Sequence, residues 1–243
     1  SDLAVGEGTG QRKDLDIYDR YYRHLVLWDD AKLEIAGAYR LGEVWRWPDR
    51  APAKLYTHSL FEFSPDITPF LVQGLELGRS FVQPHYWGRR SLDYLWQGIG
   101  AYIAMNPDVR YLFGPVSLSN RLSHSARDHL VHFYSTHFSD KQALVRPRMT
   151  HVIEPASVDL LRQIMPGQDF DAEQAVLKER LAFMGVKIPT LYKQYADVCL
   201  AGGVRFCGFN IDPNFNHCTD GFVMVDTVLI KPKKRARYIK TSQ

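Results

Sequence analysis

The most regular pattern of apolar and polar positions in the chain predicts an amphipathic helix over residues 92–103. Apolar side chains recur there at positions i, i+3, i+4, i+7 and i+11, which are Leu92, Leu95, Trp96, Ile99 and Ile103. This spacing places all five on one face of a helix. Because proline cannot continue a helix, we expect the helix to end before Pro107.

The segment before this helix is mostly apolar and predicts a β-strand. One carboxylate, Glu76, interrupts its first half, and Pro84 and Gly88 predict a turn between the strand and the helix. The turn offers unhindered backbone N–H groups, the cations of Arg89 and Arg90, and a helix N-terminus. Together these groups predict a phosphate-binding loop.

Strands and helices alternate through the rest of the chain. Strand-like runs at residues 24–28 and 35–41 flank a short polar segment and predict an antiparallel hairpin. Residues 42–73 have no sustained period and predict a long, partly ordered excursion with one extended piece at 54–58. The remaining predicted strands are 109–118, 204–209 and 222–228, and the remaining helices are 123–138, 157–165, 171–184 and 189–200. This order predicts an α/β or α+β fold with a mixed sheet.

Local signals predict several helix ends. Ser123 is a candidate N-cap, and Asp171 with Gln174 has the spacing of a capping box. Gly185 suits the residue just after a helix, and Pro189 suits the first turn of the next one.

Length and composition predict an ordinary globular protein. The chain has 243 residues, of which 45% are hydrophobic and 23% charged, and we expect a single domain over residues 1–243. Residues 139–170 are the hardest to interpret and are expected to be an insertion. The chain opens at Ser1 without a helical preamble, so we expect that it was excised from a longer protein.

Charge and cysteine content narrow the class of protein further. The 30 lysines and arginines barely exceed the 27 acidic residues, so no overall field favours nucleic acid. No segment approaches the roughly 20 apolar residues of a membrane-spanning helix. Three cysteines at no metal or redox spacing predict buried thiols in a reducing cytoplasm. A C-terminal group of five cations predicts a solvated tail or a contact for anionic lipid or an acidic protein: Lys231, Lys233, Lys234, Arg235 and Arg237.

Two further groups of polar residues are candidates for chemistry. The carboxylates of Asp14, Asp16 and Asp19 suit either a helix N-terminus or a cradle for a cationic substrate. Arg40 lies within a predicted strand, so we expect it to meet a carboxylate. The helix at 123–138 carries four histidines, but no carboxylate accompanies them at ligand spacing, and we predict no metal site.

The predicted strand, phosphate loop and helix resemble the core of the GNAT acyltransferase fold. The motif of that family, V-x-P-x-Y-x-G-x-G-x-G, appears here as VQPHYWGRRSL at residues 82–92. Its second and third glycines are replaced by Arg90 and Leu92. In the family these glycines let the backbone wrap the pyrophosphate of coenzyme A, so the resemblance implies the single phosphate of a phosphopantetheine arm more readily than coenzyme A.

Other motifs are similar to the ornithine-lipid branch of this superfamily, often labelled hemolysin-like. They are YDxxYxHL at 18–25, GAYRL at 37–41, LELGRS at 75–80, LWxGIxAY at 95–102 and DPxFN at 212–216. The resemblance implies transfer of a 3-hydroxyacyl chain from acyl carrier protein to the α-amine of ornithine or a related amino acid. This is the first step of ornithine-lipid synthesis, and no cofactor stays bound. Acyl-homoserine-lactone synthases share two of these blocks.

The same resemblance implies partners and a location. It implies acyl carrier protein as partner, fusion to an O-acyltransferase in some bacteria, and a cytoplasmic enzyme in peripheral contact with the inner membrane. Two alternatives stay open: a coenzyme A-dependent acetyltransferase, and a GNAT-shaped module without activity that binds acyl carrier protein or lipid. The hemolysin label has no support, since no pore-forming or spanning segment is present.

Site residues follow from the resemblance and from the chemistry of amine attack on a thioester, which needs a base and oxyanion stabilisation. Glu76 is the expected base and acts with Arg79. Because residues three apart point to opposite faces of a regular strand, we predict a β-bulge near Gly78 that brings the two into one site. The buried Glu76–Arg pair could instead only fix the sheet. The expected acceptor-binding residues are Asp14, Asp16, Asp19, Arg40 and Ser80. The expected donor-binding residues are Val82, Gly88, Arg89, Arg90 and Ser117.

Overall fold

A six-stranded mixed sheet organises the fold. The computed structural model describes residues 15–47 and 52–239. The strands in those residues are β1 (Arg23–Asp29), β2 (Glu34–Glu43), β3 (Phe61–Phe63), β4 (Gly74–Val82), β5 (Tyr111–Leu118), β6 (Val145–Pro147), β7 (Val204–Asp212) and β8 (Cys218–Asp226). The helices are α1 (Tyr56–Leu60), α2 (Thr68–Val72), α3 (Ser91–Met105), α4 (His124–His137), α5 (Pro155–Ile164), α6 (Phe170–Phe183), α7 (Thr190–Val198) and α8 (Pro232–Tyr238).

The strands of the large sheet follow the order β1-β2-β4-β5-β8-β7. All neighbours are antiparallel except β4 and β5, which are parallel. The predicted mixed sheet with an antiparallel hairpin at its start is therefore confirmed. Strands β3 and β6 pair separately as a two-stranded ribbon.

Two apolar clusters lie on opposite faces of this sheet. Successive residues of β8 alternate between them: Phe222 and Met224 belong to one cluster, while Val223 and Val225 belong to the other. The cluster that contains Val223 and Val225 also includes the buried faces of α3, α4, α6 and α7. The sheet is consequently covered on both faces, which explains why its central strands are apolar throughout.

Helix α3 forms as its apolar period predicts. Leu95, Ile99 and Ile103 are buried on the face that the pattern selected. The helix packs so tightly against the C-terminal segment that a Cβ atom at Gly100 would lie 1.9 Å from the backbone oxygen of Tyr238. Only glycine permits this close approach.

The predicted helix ends are partly confirmed and partly wrong. Ser123 caps α4 by accepting a hydrogen bond from the Ala126 N–H, and Gly185 follows α6 with a φ of +73°. The capping box at position 171 is wrong: Asp169 is the N-cap of α6, because its carboxylate is the one that reaches a first-turn N–H. Pro189 is the N-cap of α7, one residue earlier than expected.

The excursion at 42–73 is more ordered than its lack of period indicates. The extended piece predicted at 54–58 is wrong, since α1 begins at Tyr56. Leu55 and Leu60 are buried in the cluster on one face of the sheet, and Glu76 accepts a hydrogen bond from the Thr57 N–H at 2.7 Å. Tertiary contacts therefore stabilise a helix that has no pattern of its own.

Residues 139–170 contribute β6 and α5, and their status as an insertion stays a prediction. None of the helices in the described ranges is both long and apolar enough to span a bilayer.

Candidate active site

Strands β4 and β5 are paired over only three positions, and their separation opens a cleft. The parallel pairing begins at Gly74 with Tyr111 and stops at Glu76 with Phe113. Both strands continue well past that point. Beyond it lies a cleft of about 730 Å³, bordered by the end of β4, the start of α3 and the end of β5.

The predicted bulge in β4 is present. Ala38 pairs with Phe81 and Arg40 pairs with Gly78, so β4 carries one residue more than β2 between these pairs. Arg79 takes a φ of +44° at this point. The bulge brings the side chains of both Arg79 and Ser80 to the lining of the cleft.

Glu76 lies behind the cleft instead of in it. Its side chain is fully buried and is absent from the residues that line the cleft. One carboxylate oxygen accepts hydrogen bonds from the Thr57 N–H and hydroxyl, and the other accepts one from the Tyr22 hydroxyl. Burial raises the pKa of Glu76, although these hydrogen bonds and Arg40 act in the opposite direction. The bulge therefore does not place Glu76 beside Arg79.

Arg40 meets carboxylates, as its position in a strand predicts. Its Nη1 lies 2.8 Å from Asp16 Oδ1 and 3.3 Å from Asp19 Oδ1. The ring of Tyr22 stacks under the guanidinium, with 4.8 Å from Cζ to the ring centre. Burial alone would lower the pKa of Arg40, but the hydrogen bonds of Asp16 and Asp19 raise it overall. This arginine stays charged inside an anionic and aromatic cage.

The aspartates predicted as a cradle for an ammonium group are already engaged. Asp16 also forms an ion pair with Arg79, with 3.0 Å between Oδ2 and Nη2. Asp19 Oδ1 lies 3.6 Å from His24 Nε2. Asp16 and Asp19 form a reciprocal capping box, which confirms the helix N-terminus interpretation of these carboxylates. Asp14 lies outside the described residues.

A second acidic group in the cleft escaped the sequence-based prediction. Asp220, on β8, lines the cleft and accepts a hydrogen bond of 2.5 Å from the Ser117 hydroxyl. Tyr56 also lines the cleft and donates to Asp212 at 2.9 Å. Burial, Asp220 and Asp212 all raise the pKa of Tyr56, so its hydroxyl keeps its proton. The signal for Asp220 in the sequence was weak, since a threonine and a glycine flank it at the edge of the apolar run of β8.

The predicted donor residues other than Ser117, which donates to Asp220, lie at the end of β4 and in the turn before α3. Val82, Gly88, Arg89 and Ser117 line the cleft, whereas the side chain of Arg90 is 67% exposed and pairs with Asp93. Gly88 has a φ of +73°, which favours glycine at this turn. Helix α3 begins here without a side-chain cap, so its first N–H groups face the cleft region unsatisfied by a capping side chain.

Comparison with known proteins identifies the family of the chain. Residues 3–97 match the family model described as an acetyltransferase (GNAT) domain. The chain is 32% identical over 251 aligned positions to a glycine N(alpha)-acyltransferase of Bacteroides thetaiotaomicron, covering 98% of this chain and 74% of that protein. It is 28% identical to an L-ornithine N(alpha)-acyltransferase of Rhodobacter capsulatus, covering 94% of this chain and 80% of that protein.

The chain belongs to the GNAT acyltransferase family. A glycine N(alpha)-acyltransferase of Phocaeicola vulgatus is also similar, at 30% identity over 98% of this chain and 76% of that protein. No solved structure matches the chain significantly. The expected GNAT fold is thus confirmed, and the chain is an acyltransferase of the GNAT type.

The C-terminal cations of this GNAT domain are largely engaged in its own fold. Lys231 and Lys234 both pair with Asp197, and Arg237 pairs with Asp93 of α3. Arg235 donates to the backbone oxygen of Thr227. Most of the cluster therefore holds α8 in place, and its role as a membrane or carrier contact stays a prediction.

The histidines of α4 point to separate partners. His129 contacts the backbone oxygen of Ser125, and His132 contacts that of Met165. His137 pairs with Glu173. These three do not converge on a common point. The expectation that no carboxylate accompanies the histidines is wrong, because Asp128, one turn after His124, lies 3.1 Å from the Nδ1 atom of that histidine.

Proposed function

We propose that the chain transfers a fatty acyl chain, 3-hydroxylated or plain, from acyl carrier protein to the α-amine of an amino acid, as the first step in the synthesis of an amino-acid lipid. The observation that carries this proposal is the cleft between β4 and β5. Where α3 begins, the cleft has Arg89 and a helix N-terminus without a side-chain cap. Elsewhere it is lined by Tyr56, Arg79 and Asp220. A donor phosphate and an amino-acid acceptor suit these two parts respectively.

The donor arm is expected to bind along β4 and the turn before α3. The N–H groups at the start of α3 and the Arg89 guanidinium suit the single phosphate of phosphopantetheine. Beyond Glu76, the edge of β4 that faces β5 has no strand partner in the described ranges. The two amides of the pantetheine arm can add to this edge as an extra strand does.

The acceptor is expected to bind where Arg79, Tyr56 and Asp220 meet the cleft. Arg79 is 30% exposed, while Arg40 is 1% exposed, so Arg79 is the better anchor for the acceptor carboxylate. Asp220 suits the α-ammonium group and can receive its proton. Ser117 and Tyr56 donate hydrogen bonds next to it.

The proposed reaction is nucleophilic acyl transfer. Asp220 takes a proton from the α-ammonium, and the free amine attacks the thioester carbonyl. As the C–N bond forms, backbone N–H groups of β4 stabilise the oxyanion. The C–S bond then breaks as the Tyr56 hydroxyl, which keeps its proton until this step, gives that proton to the leaving sulfur. The nitrogen returns its second proton to Tyr56, which restores the hydroxyl, and Asp220 releases the first proton to solvent. Glu76 does not touch the reacting atoms; it positions Tyr56 by accepting hydrogen bonds from the neighbouring residue, Thr57.

Two observations favour a neutral acceptor over ornithine. Asp16 and Asp19, the candidates for binding a second ammonium, are neutralised by Arg40, with Arg79 also on Asp16. Two of the similar proteins that match nearly the whole chain are named glycine N(alpha)-acyltransferases. We therefore propose glycine ahead of ornithine as the acceptor.

The test is a transfer assay with acyl carrier protein loaded with a 3-hydroxyhexadecanoyl or a hexadecanoyl chain. Glycine, serine and ornithine are offered in parallel, and the lipid product is identified by mass spectrometry. We expect N-acylglycine as the main product and loss of product with Asp220→Asn. A matched assay with the same acyl chain on coenzyme A is expected to be slower.

The results test the acceptor, the donor and the enzymatic activity separately. Faster transfer to ornithine than to glycine would show that the neutral acceptor is wrong. Equal rates from coenzyme A would remove the requirement for the carrier protein. No product from any donor would leave a carrier-binding module as the function, which binding of loaded carrier protein to the chain would then establish.

A further inference from the structure

A partly buried cluster of two imidazoles and one carboxylate lies outside the cleft. His124 and Asp128 are one turn apart on α4 and so share a face of the helix. His151 comes from the segment after β6. In the described part of the chain, this trio is the group whose ligand atoms, one from each residue, all lie within 4.8 Å of one another.

The aspartate faces a different imidazole with each oxygen. Asp128 Oδ1 lies 2.7 Å from His151 Nε2, and Oδ2 lies 3.1 Å from His124 Nδ1. Asp128 and His151 are almost completely buried, whereas the His124 side chain is 44% exposed. Water and small ions can therefore reach the cluster only past the ring of His124, because Asp128 and His151 are enclosed by the protein.

The surroundings hold the buried pair rigidly. The second ring nitrogen of His151, Nδ1, lies 3.1 Å from the hydroxyl of Thr219. Asp128 Oδ2 also accepts a hydrogen bond from the Glu154 N–H. The segment that carries His151 is tied to the sheet, because the His151 N–H donates to the Phe209 oxygen at 3.0 Å. Metal-binding histidines ordinarily have such a partner on the other nitrogen, since it fixes the ring and its tautomer.

We propose that His124, Asp128 and His151 bind one divalent transition-metal ion, with zinc as the best match. Two imidazole nitrogens and one carboxylate oxygen are a common zinc ligand set, and the fourth position is left to water. A single carboxylate is too few for calcium or magnesium, which prefer oxygen ligands.

Binding of the ion requires the three side chains to separate. Two ligand atoms about 2.1 Å from zinc lie about 3.4 Å apart at the tetrahedral angle. Asp128 Oδ1 lies 2.7 Å from His151 Nε2 and Oδ2 lies 3.1 Å from His124 Nδ1, so both contacts are shorter than this separation. The rings and the carboxylate must therefore move apart to admit the ion, and the half-exposed ring of His124 can turn. On binding, His151 Nε2 faces the ion and its Nδ1–H donates to Thr219, whose hydroxyl can serve as acceptor as well as donor.

The position of the site predicts a structural role. Thr219 precedes Asp220 on β8, and successive residues of a strand point to opposite faces of the sheet. The ion would thus lie behind the strand that carries Asp220 into the cleft. It would join α4 and the segment after β6 to that strand, and its binding is independent of the proposed transfer reaction.

The test measures zinc binding by the full chain after treatment with chelator. Equilibrium dialysis with metal analysis is expected to give one zinc per chain, and zinc is expected to raise the thermal unfolding midpoint. His124→Ala is expected to weaken binding about tenfold or more. Thr219→Val, which keeps the shape of the side chain, is expected to weaken it several-fold.

His85→Ala is the matched control, since His85 is also half exposed and lies 2.8 Å from a carboxylate, Glu34. This variant is expected to bind zinc within about twofold of the parent. Absence of saturable binding would overturn the proposal. Equal binding by His124→Ala and the parent, or equal weakening by His85→Ala, would also overturn it, because zinc would then be held by other surface histidines.

Discussion

Tyr22 and Glu76 form a buried hydrogen bond behind the floor of the cleft, and through it they position Tyr56. The Tyr22 hydroxyl donates to Glu76 and accepts from the Tyr56 N–H at 2.8 Å. Glu76 in turn holds the next residue, Thr57, by its N–H and its hydroxyl. The carboxylate that the sequence marks as the catalytic base therefore fixes the start of α1, and Tyr56 is the group that reaches the cleft.

Removal of the Tyr22 hydroxyl is expected to reduce both stability and turnover. Tyr22→Phe leaves the Tyr56 N–H and one Glu76 oxygen without this partner, at a cost of about 1–3 kcal/mol in the free energy of unfolding. Because Tyr56 then shifts, kcat is expected to fall more than the Michaelis constant of the acceptor rises. The control is Tyr21→Phe, whose ring is 44% exposed and which should change neither quantity. Unchanged kcat in Tyr22→Phe would contradict the positioning role.

Stability of Glu76→Gln relative to the parent is expected to depend on pH. Burial raises the pKa of Glu76 above its ordinary value of 4.5, so the folded state favours the protonated acid. The contribution of this group is complete below pH 4.5 and is lost as the pH rises through the raised pKa. The deficit of Glu76→Gln, measured by urea unfolding, should therefore shrink from low to neutral pH.

Glu62→Gln provides a control of opposite sign. A hydrogen bond from Arg146 lowers the pKa of Glu62, so its contribution is present at neutral pH and is lost as the pH falls. Any deficit of Glu62→Gln should consequently grow with pH. If the deficit of Glu76→Gln also grew with pH, Glu76 would be stabilised as a carboxylate, contrary to the direction given by its burial.

Asp220→Asn is expected to stop the chemistry with little loss of fold. Loss of a general base ordinarily lowers kcat by about 10²–10⁴-fold. Asparagine keeps the size of the side chain and can still accept from Ser117, so the unfolding midpoint should change little. Ser117→Ala should lower kcat to a smaller degree. Single-turnover assays with loaded carrier protein separate chemistry from binding, and a normal rate in Asp220→Asn would remove it as the base.

Asp16→Asn is expected to destabilise the protein without changing acceptor preference. The Arg40 guanidinium is buried and loses its closest carboxylate, while Asp19 remains, so we expect a cost of about 3 kcal/mol. The ratio of glycine to ornithine turnover should stay the same. The exposed Asp66→Asn is the control for stability. A selective loss of ornithine turnover in Asp16→Asn would restore the ammonium cradle.

Charge reversal near the cleft is expected to weaken use of the carrier protein. Arg89→Glu places a carboxylate beside the proposed phosphate position, and we expect the Michaelis constant for loaded carrier to rise about tenfold. Lys233→Glu, in the C-terminal cluster, tests whether those cations share this task, and we expect a change within about twofold. Lys178→Glu on α6 is the distant control. A larger effect from Lys233→Glu than from Arg89→Glu would assign docking to the C-terminus.

Features with a local cause were predictable from the sequence. The period of α3, the β1–β2 hairpin and the need of Arg40 for a carboxylate all follow from neighbouring residues. The bulge after Gly78 is predicted from a shared site of Glu76 and Arg79; the bulge is present, but Glu76 lies behind the cleft. Motif similarity added the family. These features are predictable because the period of apolar residues along an element shows which of its faces is buried.

The partners inside the site were decided only by the tertiary structure. Glu76 meets Tyr22 across 54 residues of chain, and Tyr56 meets Asp212 across 156. A pattern in the sequence shows that a buried carboxylate needs hydrogen-bond donors, but not which donors the sheet order brings to it. The sequence by itself therefore determined the elements and the family, while packing assigned Glu76 to the support of the cleft and placed Tyr56 and Asp220 within it.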